Sequence, residues 1–194
     1  MNFLELENAH KSYSIKWNTE LFNEYQESEC WNFVDLNQES VEKEILGFLN
    51  KWGRCRIPND SKIELFQALV NLKENIQYFK GKKLWENFDF KNKKQKALIK
   101  KIFSDLEKVP KISSVAISKM MHMFNPDFFI MWENAIQERY VFYGNAKGYT
   151  YFLQRIKKKI VENNLIEDYN NSKLKDEITL LKLIDEYNME NRKK

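Results

Sequence analysis

The chain has 194 residues, 43% hydrophobic and 14% aromatic, a composition that folds rather than staying disordered. Five glycines and three prolines are too few for the frequent turns of a sheet protein, and two cysteines with no C-x-x-C pair exclude a disulfide framework and a cysteine zinc site. A formal net charge of +4 permits a polyanionic partner without demanding one.

These features predict an all-α, multi-helix globular domain over residues 1–194, with a bilobal tendency. His10 and His122 are the only histidines, which excludes a multi-histidine metal centre, and no serine sits in a nucleophile elbow. No metal and no cofactor are expected. The opening MNFLELENAH mixes acids with apolar residues, unlike a signal peptide, and no run reaches the roughly 18 apolar residues of a membrane span. The expectation is a soluble cytoplasmic protein without a membrane partner.

Residues 1–37 scatter Trp17, Phe22, Tyr25, Trp31 and Phe33 through polar sequence, which reads as an arm or short helices packed on the body. Residues 38–108 form a first helical part. Asp35 or Asn37 can cap a helix running to about Trp52, with Val41, Ile45, Phe48 and Leu49 on one face and Gly53 as its stop. Arg54 and Arg56 follow, suited to a carboxylate or a phosphate. After a turn at Ile57 to Asp60, Ser61 with Glu64 reads as a capping box, opening a helix lined by Ile63, Phe66, Val70 and Phe79 that ends before Gly81.

From Lys80 to Lys101 nine lysines face only Glu86 and Asp89, interleaved with Leu84, Trp85, Phe88 and Phe90. Such a cluster attracts a phosphate backbone, making Lys82, Lys83, Lys93, Lys94 and Lys96 candidate nucleic-acid contacts and Trp85 a candidate base-pocket residue. A solvated helix face with a lysine-rich loop explains the same pattern.

Residues 109–143 read as a helix-turn-helix. Ser113 or Ser114 caps the first helix, Asn125-Pro126-Asp127 breaks it, and a second helix starts near Met131. Ile117, Met121 and Phe124 make a core-facing stripe, with Ser118, Lys119 and His122 on another side. Lys119 lies among Val115, Ala116 and Met123. It is either a desolvated nucleophile or a lysine whose stem covers apolar surface while its head stays in water. His122 can orient a substrate or shuttle a proton, or serve as a hydrogen-bonded structural residue. Trp132 is a core anchor or a wall against a flipped base.

The run Val115 to Lys119, the Met-His-Met-Phe helix, the Asn-Pro turn and the following Phe-Phe-Ile-Met-Trp-Glu-Asn-Ala-Ile together resemble the core of the helix-hairpin-helix (HhH-GPD) DNA glycosylases, particularly 8-oxoguanine glycosylase-like members. The resemblance implies Lys119 as the Schiff-base nucleophile and Glu133 as its acidic partner. It also implies DNA as substrate. Ser113 and Ser114, at the start of the first helix, are further candidate nucleic-acid contacts. The chain departs from the family where no glycine lies between Gly81 and Gly144, so the hairpin glycines are absent, and where glutamate replaces aspartate.

Residues 144–194 hold the C-terminal helices. A Gly144 to Gly148 loop, following Tyr140, Phe142 and Tyr143, leads into a basic helix; it either holds a phosphate on its free N–H groups or is an ordinary turn. Lys147 and Arg155 are its candidate nucleic-acid contacts. Leu174, Ile178, Leu181 and Ile184 outline a closing amphipathic helix that frays from Asn191 to Lys194. The expected function is a DNA glycosylase or glycosylase/AP-lyase-like protein. The alternatives are a non-catalytic nucleic-acid-binding helical protein and a helical protein-interaction module.

Overall fold

A computed structural model describes residues 1–16, 19–27, 29–33, 36–86, 88–140 and 143–192. Trp17, Asp35, Phe142, Lys193 and Lys194 lie outside the described residues, as does the side chain of Cys30. All regular structure among the described residues is helical: α1 (Phe3–Lys16), α2 (Thr19–Gln26), α3 (Gln38–Ser40), α4 (Gly47–Lys51), α5 (Lys62–Gln77), α6 (Lys93–Glu107), α7 (Ser114–Phe124), α8 (Asn134–Tyr140), α9 (Ala146–Glu162), α10 (Leu165–Asn171) and α11 (Leu180–Glu190). A π-helical turn, Val41–Leu46, joins α3 to α4, and short 3-10 turns occupy Glu29–Asn32, Asn59–Ser61 and Lys173–Asp176.

Polar side chains set several helix starts. Asn37 and Ser40 satisfy each other's backbone N–H groups in a capping box at α3, Ser113 accepts from Ala116 N at α7, Asn145 accepts from Gly148 N at α9, and Thr179 accepts from Lys182 N at α11. Val41, Ile45, Phe48 and Leu49 are fully buried. One apolar cluster then continues from Leu6 to Ile184, with α5, α6 and α9 packed in succession and α7 beside α6. Trp31 and Phe33 pack on Phe124 as part of it.

Four readings of local structure change. The buried stripe of α5 is Leu65, Leu69, Leu72 and Ile76, continuing to Phe79; Ile63 and Val70 face solvent. Ser61 makes no side-chain cap, because its hydroxyl donates to Pro110 O at 3.1 Å, a tertiary bond that replaces the local one. After α7 the chain does not turn directly into a helix. Phe128 to Trp132 run through the core, with Tyr149 donating its hydroxyl to Ile130 O at 2.9 Å, and α8 begins at Asn134 rather than near Met131. Leu174 and Ile178 precede α11 instead of belonging to it.

The start of the chain is more regular than an arm. α1 lies along α11, joined by His10 Nδ1 to Glu186 Oε2 at 2.7 Å, by Ser12 Oγ donating to Glu190 at 2.8 Å and by a Lys16–Glu190 ion pair. α11 itself is buried nearly all round, taking Lys182, Asp185 and Glu186 inside with its leucines. Among the described residues no helix is long and apolar enough to cross a membrane.

The His10–Glu186 contact predicts a pH dependence. The hydrogen bond to Glu186 raises the His10 pKa above its ordinary value, against the effect of burial and the charge of Lys182, with Glu177 adding to the rise. A raised folded-state pKa stabilises below the unfolded value of about 6.5, and that stabilisation disappears as pH climbs through the folded value. Urea unfolding should therefore give a lower stability at pH 9 than at pH 6, with a His10 contribution of roughly 1 kcal/mol that His10→Gln removes.

Candidate active site around Lys119

α7 is apolar on almost every side, so Lys119 enters the interior with its neighbours and its side chain is only 8% exposed. A buried ammonium needs partners. Lys119 Nζ donates to Gly53 O at 2.8 Å, lies 2.5 Å from Glu133 Oε1, and sits 5.7 Å from the centre of the Trp52 ring.

Each partner is fixed by local structure. Gly53 closes α4, where its N–H bonds Phe48 O at 2.9 Å; a Cβ there would lie 2.6 Å from Leu49 O, so only glycine fits this approach. The loop beyond it is bracketed by Asn50, whose amide bonds both Ile57 O and Ile57 N at 2.6 Å, and it carries Arg54 in the left-handed region at φ 53°. Glu133 follows a strap held by Ser118. The Ser118 hydroxyl accepts from Trp132 N at 3.1 Å and is 2.9 Å from Val115 O, while Trp132 Nε1 donates to Ser114 O at 3.0 Å. Ser118, which directly precedes Lys119, thus ties down the residue beside Glu133.

Lys119 and Glu133 open onto a cleft of about 680 Å³ bordered by Trp52, Arg54, Ser113 and Asp185. Lys51 and Arg192 also border it, giving its rim cationic groups. Asp185 is buried, and burial pushes its carboxyl up to about 6, with the Glu133 charge contributing and Lys182, 3.1 Å away, opposing. Cys55 borders the cleft too, its thiol raised by burial. Among the described residues no group of three or more His, Cys, Asp or Glu side chains can hold a metal.

Other candidates stand elsewhere. His122 is fully buried and faces a second cavity rather than this cleft; burial pushes it down to about 3, so it is neutral at physiological pH. A proton shuttle beside Lys119 does not fit that placement. Trp132 is sealed among Phe103, Tyr149 and Phe152, and Trp85 is buried in the same core cluster, so neither forms a wall of the cleft. Phe88 and Phe90 are likewise buried, leaving no exposed stacking ring among them. Ser114 accepts from Gln137 at 3.3 Å.

The lysine-rich segment is tied to the Asn-Pro turn, since Asn125 donates to Lys82 O at 3.0 Å and Leu84 N donates to Asp127 O at 3.0 Å. Lys82 lies over Tyr78, Lys83 pairs with Glu86 at 3.3 Å, Lys93 and Lys94 are exposed at the start of α6, and Lys96 is half-buried. Lys147 and Arg155, on α9, lie over Tyr151 and Tyr140. Of the nucleic-acid candidates, Ser113 borders the Lys119 cleft, whereas these lysines and Arg155 do not. Asp185 and Lys182 were missed by pattern reading, which assigns charges on a terminal helix to solvent.

Comparison of the chain with protein-family models, with curated proteins and with solved structures yields no match in any of the three.

The Ser118 bracket is directly testable. Ser118→Ala leaves Trp132 N buried without an acceptor, which should lower unfolding stability by about 1–3 kcal/mol in chemical denaturation. Ser118→Thr, which keeps the hydroxyl, should retain more of that stability.

Proposed function

We propose that this protein is a DNA glycosylase or glycosylase/AP-lyase-like enzyme that excises a damaged base through Lys119. The observation that carries the reading is the meeting of Lys119 Nζ and Glu133 Oε1 at 2.5 Å on the wall of a cleft large enough for an extrahelical nucleotide. It is supported by the resemblance of the surrounding stretch to helix-hairpin-helix glycosylases.

In this mechanism Glu133 takes a proton from the Lys119 ammonium. The freed lone pair attacks C1′ as the C1′–N bond breaks and its electron pair leaves with the base, which takes up the proton that Glu133 carries. The attached nitrogen, now cationic, gives up a second proton, which passes to O4′; its lone pair forms the C1′=N bond while the C1′–O4′ electron pair goes to O4′, so the sugar ring opens and an iminium joins Lys119 to the sugar. Gly53 O holds the amine at the cleft wall. Loss of a C2′ proton with departure of the 3′-phosphate would complete strand cleavage. Lys51, Arg54 and Arg192 supply the positive rim for a phosphate backbone.

A second reading rests on the same contacts. With Gly53 O and Glu133 both engaged, Lys119 is well suited to act as a structural pin, in a nucleic-acid-binding protein that uses exposed Lys93, Lys94 and Lys147.

Borohydride trapping on duplexes carrying 8-oxoguanine, uracil or an abasic site separates the two. The lyase reading expects a covalent adduct with unaltered protein, its loss in Lys119→Ala, and at least a tenfold slower adduct formation in Glu133→Gln, with thermal unfolding checking that each variant is folded. Salt-sensitive DNA binding without any adduct would leave the pin reading.

A further inference from the structure

The outer face of α9 carries a ridge that lines neither cavity. Tyr143, just before the helix, is followed at every fourth residue by Lys147, Tyr151 and Arg155, which sets the helical members on one row roughly 6 Å apart along the axis. All four are exposed, Tyr143 by 83% and Tyr151 by 48%, and the Lys147 ammonium lies 6.0 Å from the Tyr151 ring centre. The helix is strongly basic, with Lys147, Arg155, Lys157, Lys158 and Lys159 against Glu162 alone, which pairs with Lys158 at 3.4 Å. A lysine beside a tyrosine one turn on supports the helix itself. Tyr143 has no such use: it stands before the first turn, and among the described residues nothing engages its ring or hydroxyl.

The backbone nonetheless places Tyr143 closely. Asn145 N donates to Tyr143 O at 2.8 Å, and a Cβ on Gly148 would lie 1.9 Å from that oxygen, so only glycine lets the carbonyl close on the first turn of α9. A Cβ on Gly144 would fall 2.6 Å from Gln137 Oε1 and 2.9 Å from Ser114 Oγ. The same turn therefore packs against the start of α7, next to Ser113 on the rim of the Lys119 cleft. Two glycines fix the backbone beneath a ring that is left in water.

Exposed rings alternating with cations suit a polymer that alternates flat bases with phosphates, provided its base faces are open. A duplex keeps those faces stacked inside and would offer the row only its phosphates. A lipid surface calls for an apolar helix face, and the apolar residues of α9, Phe152, Leu153, Ile156 and Ile160, lie in the core. We propose that the ridge of Tyr143, Lys147, Tyr151 and Arg155 binds a single strand of DNA, its bases stacking on the tyrosines and its phosphates meeting Lys147 and Arg155. The choice of DNA over RNA rests on the reading of the Lys119 cleft; the choice of an unpaired strand rests on the ridge alone and makes the substrate of that cleft single-stranded.

Fluorescence anisotropy of a labelled, lesion-free thymidine 12-mer reads the ridge without any adduct, so its outcome is separate from that of borohydride trapping. The strand should bind more weakly as salt rises, at least tenfold more tightly than a duplex of the same length, and about fivefold or more above a strand of abasic residues with the same phosphates. Tyr143→Ala should weaken binding about fivefold or more, while Tyr143→Phe, which keeps the ring, should stay within about twofold of the unaltered protein. Lys147→Gln should weaken binding and flatten its salt dependence, whereas Lys73→Gln, which removes an exposed cation from α5, should do neither. Cooperative thermal unfolding checks that each variant is folded. No binding of the strand, equal binding of the duplex or of the abasic strand, or full affinity in Tyr143→Ala would overturn the proposal. So would a uridine 12-mer bound at least tenfold more tightly than the DNA, or binding to phosphatidylserine vesicles in place of the strand.

Discussion

Taking the Lys119 ammonium into the interior is the constraint around which the centre of the molecule is arranged. α7 is too apolar to lie on a surface, so a lysine on it goes inside, where an unpaired charge costs several kcal/mol. Two elements far apart in sequence answer that cost. The end of α4 offers a carbonyl that only a glycine can bring close enough, and the strap before α8 offers a carboxylate. Asn50 and Ser118 then hold those two elements, each through bonds to backbone groups that would otherwise be buried unsatisfied. The cleft is the space left between parts that converge on one cation.

A second cation repeats the arrangement one layer away. Lys182 on α11 is buried with Asp185 and Glu186, and although burial works against its charge, the two carboxylates keep its pKa above the ordinary value. Trp52 stands between the layers, with Lys119 at 5.7 Å and Lys182 at 5.5 Å from its ring centre, and stacks on Phe48 at an interplanar angle of 10°. Cation–π attraction adds about 0.5–2 kcal/mol at such contacts and fixes an indole that borders both cavities.

How much of this was legible in the sequence follows from where each signal is satisfied. The all-helical class, the Ser113 cap, the Asn-Pro break and the Val41-Ile45-Phe48-Leu49 face rest on local chemistry, and local chemistry holds in the structure. The nearness of Lys119 and Glu133 was expected from the resemblance rather than from spacing, because the strap between them is not a helix and no periodicity relates the two. The α5 face was misread because Ile63, Phe66 and Val70 imitate a stripe parallel to the real one through Leu65, Leu69 and Leu72. Ser61 shows the same lesson in polar form: a hydroxyl three residues before a glutamate reads as a box until a distant carbonyl takes it.

α11 was the least legible element, for a physical reason. Hydrophobic periodicity treats every charge as a marker of solvent, yet Lys182, Asp185 and Glu186 lie at i, i+3 and i+4 and compensate one another inside one helix turn. The group is nearly invisible to a pattern that scores residues singly, and it becomes a buried polar layer once α1 lays His10 and Tyr13 against it. Replacing such a layer with leucines would be at least as stable in many proteins, so stability alone does not account for it. What distinguishes this layer is that it borders both cavities, Asp185 on the Lys119 side and Lys182 with Glu186 on the other, and so sets the charge that any occupant of either must match.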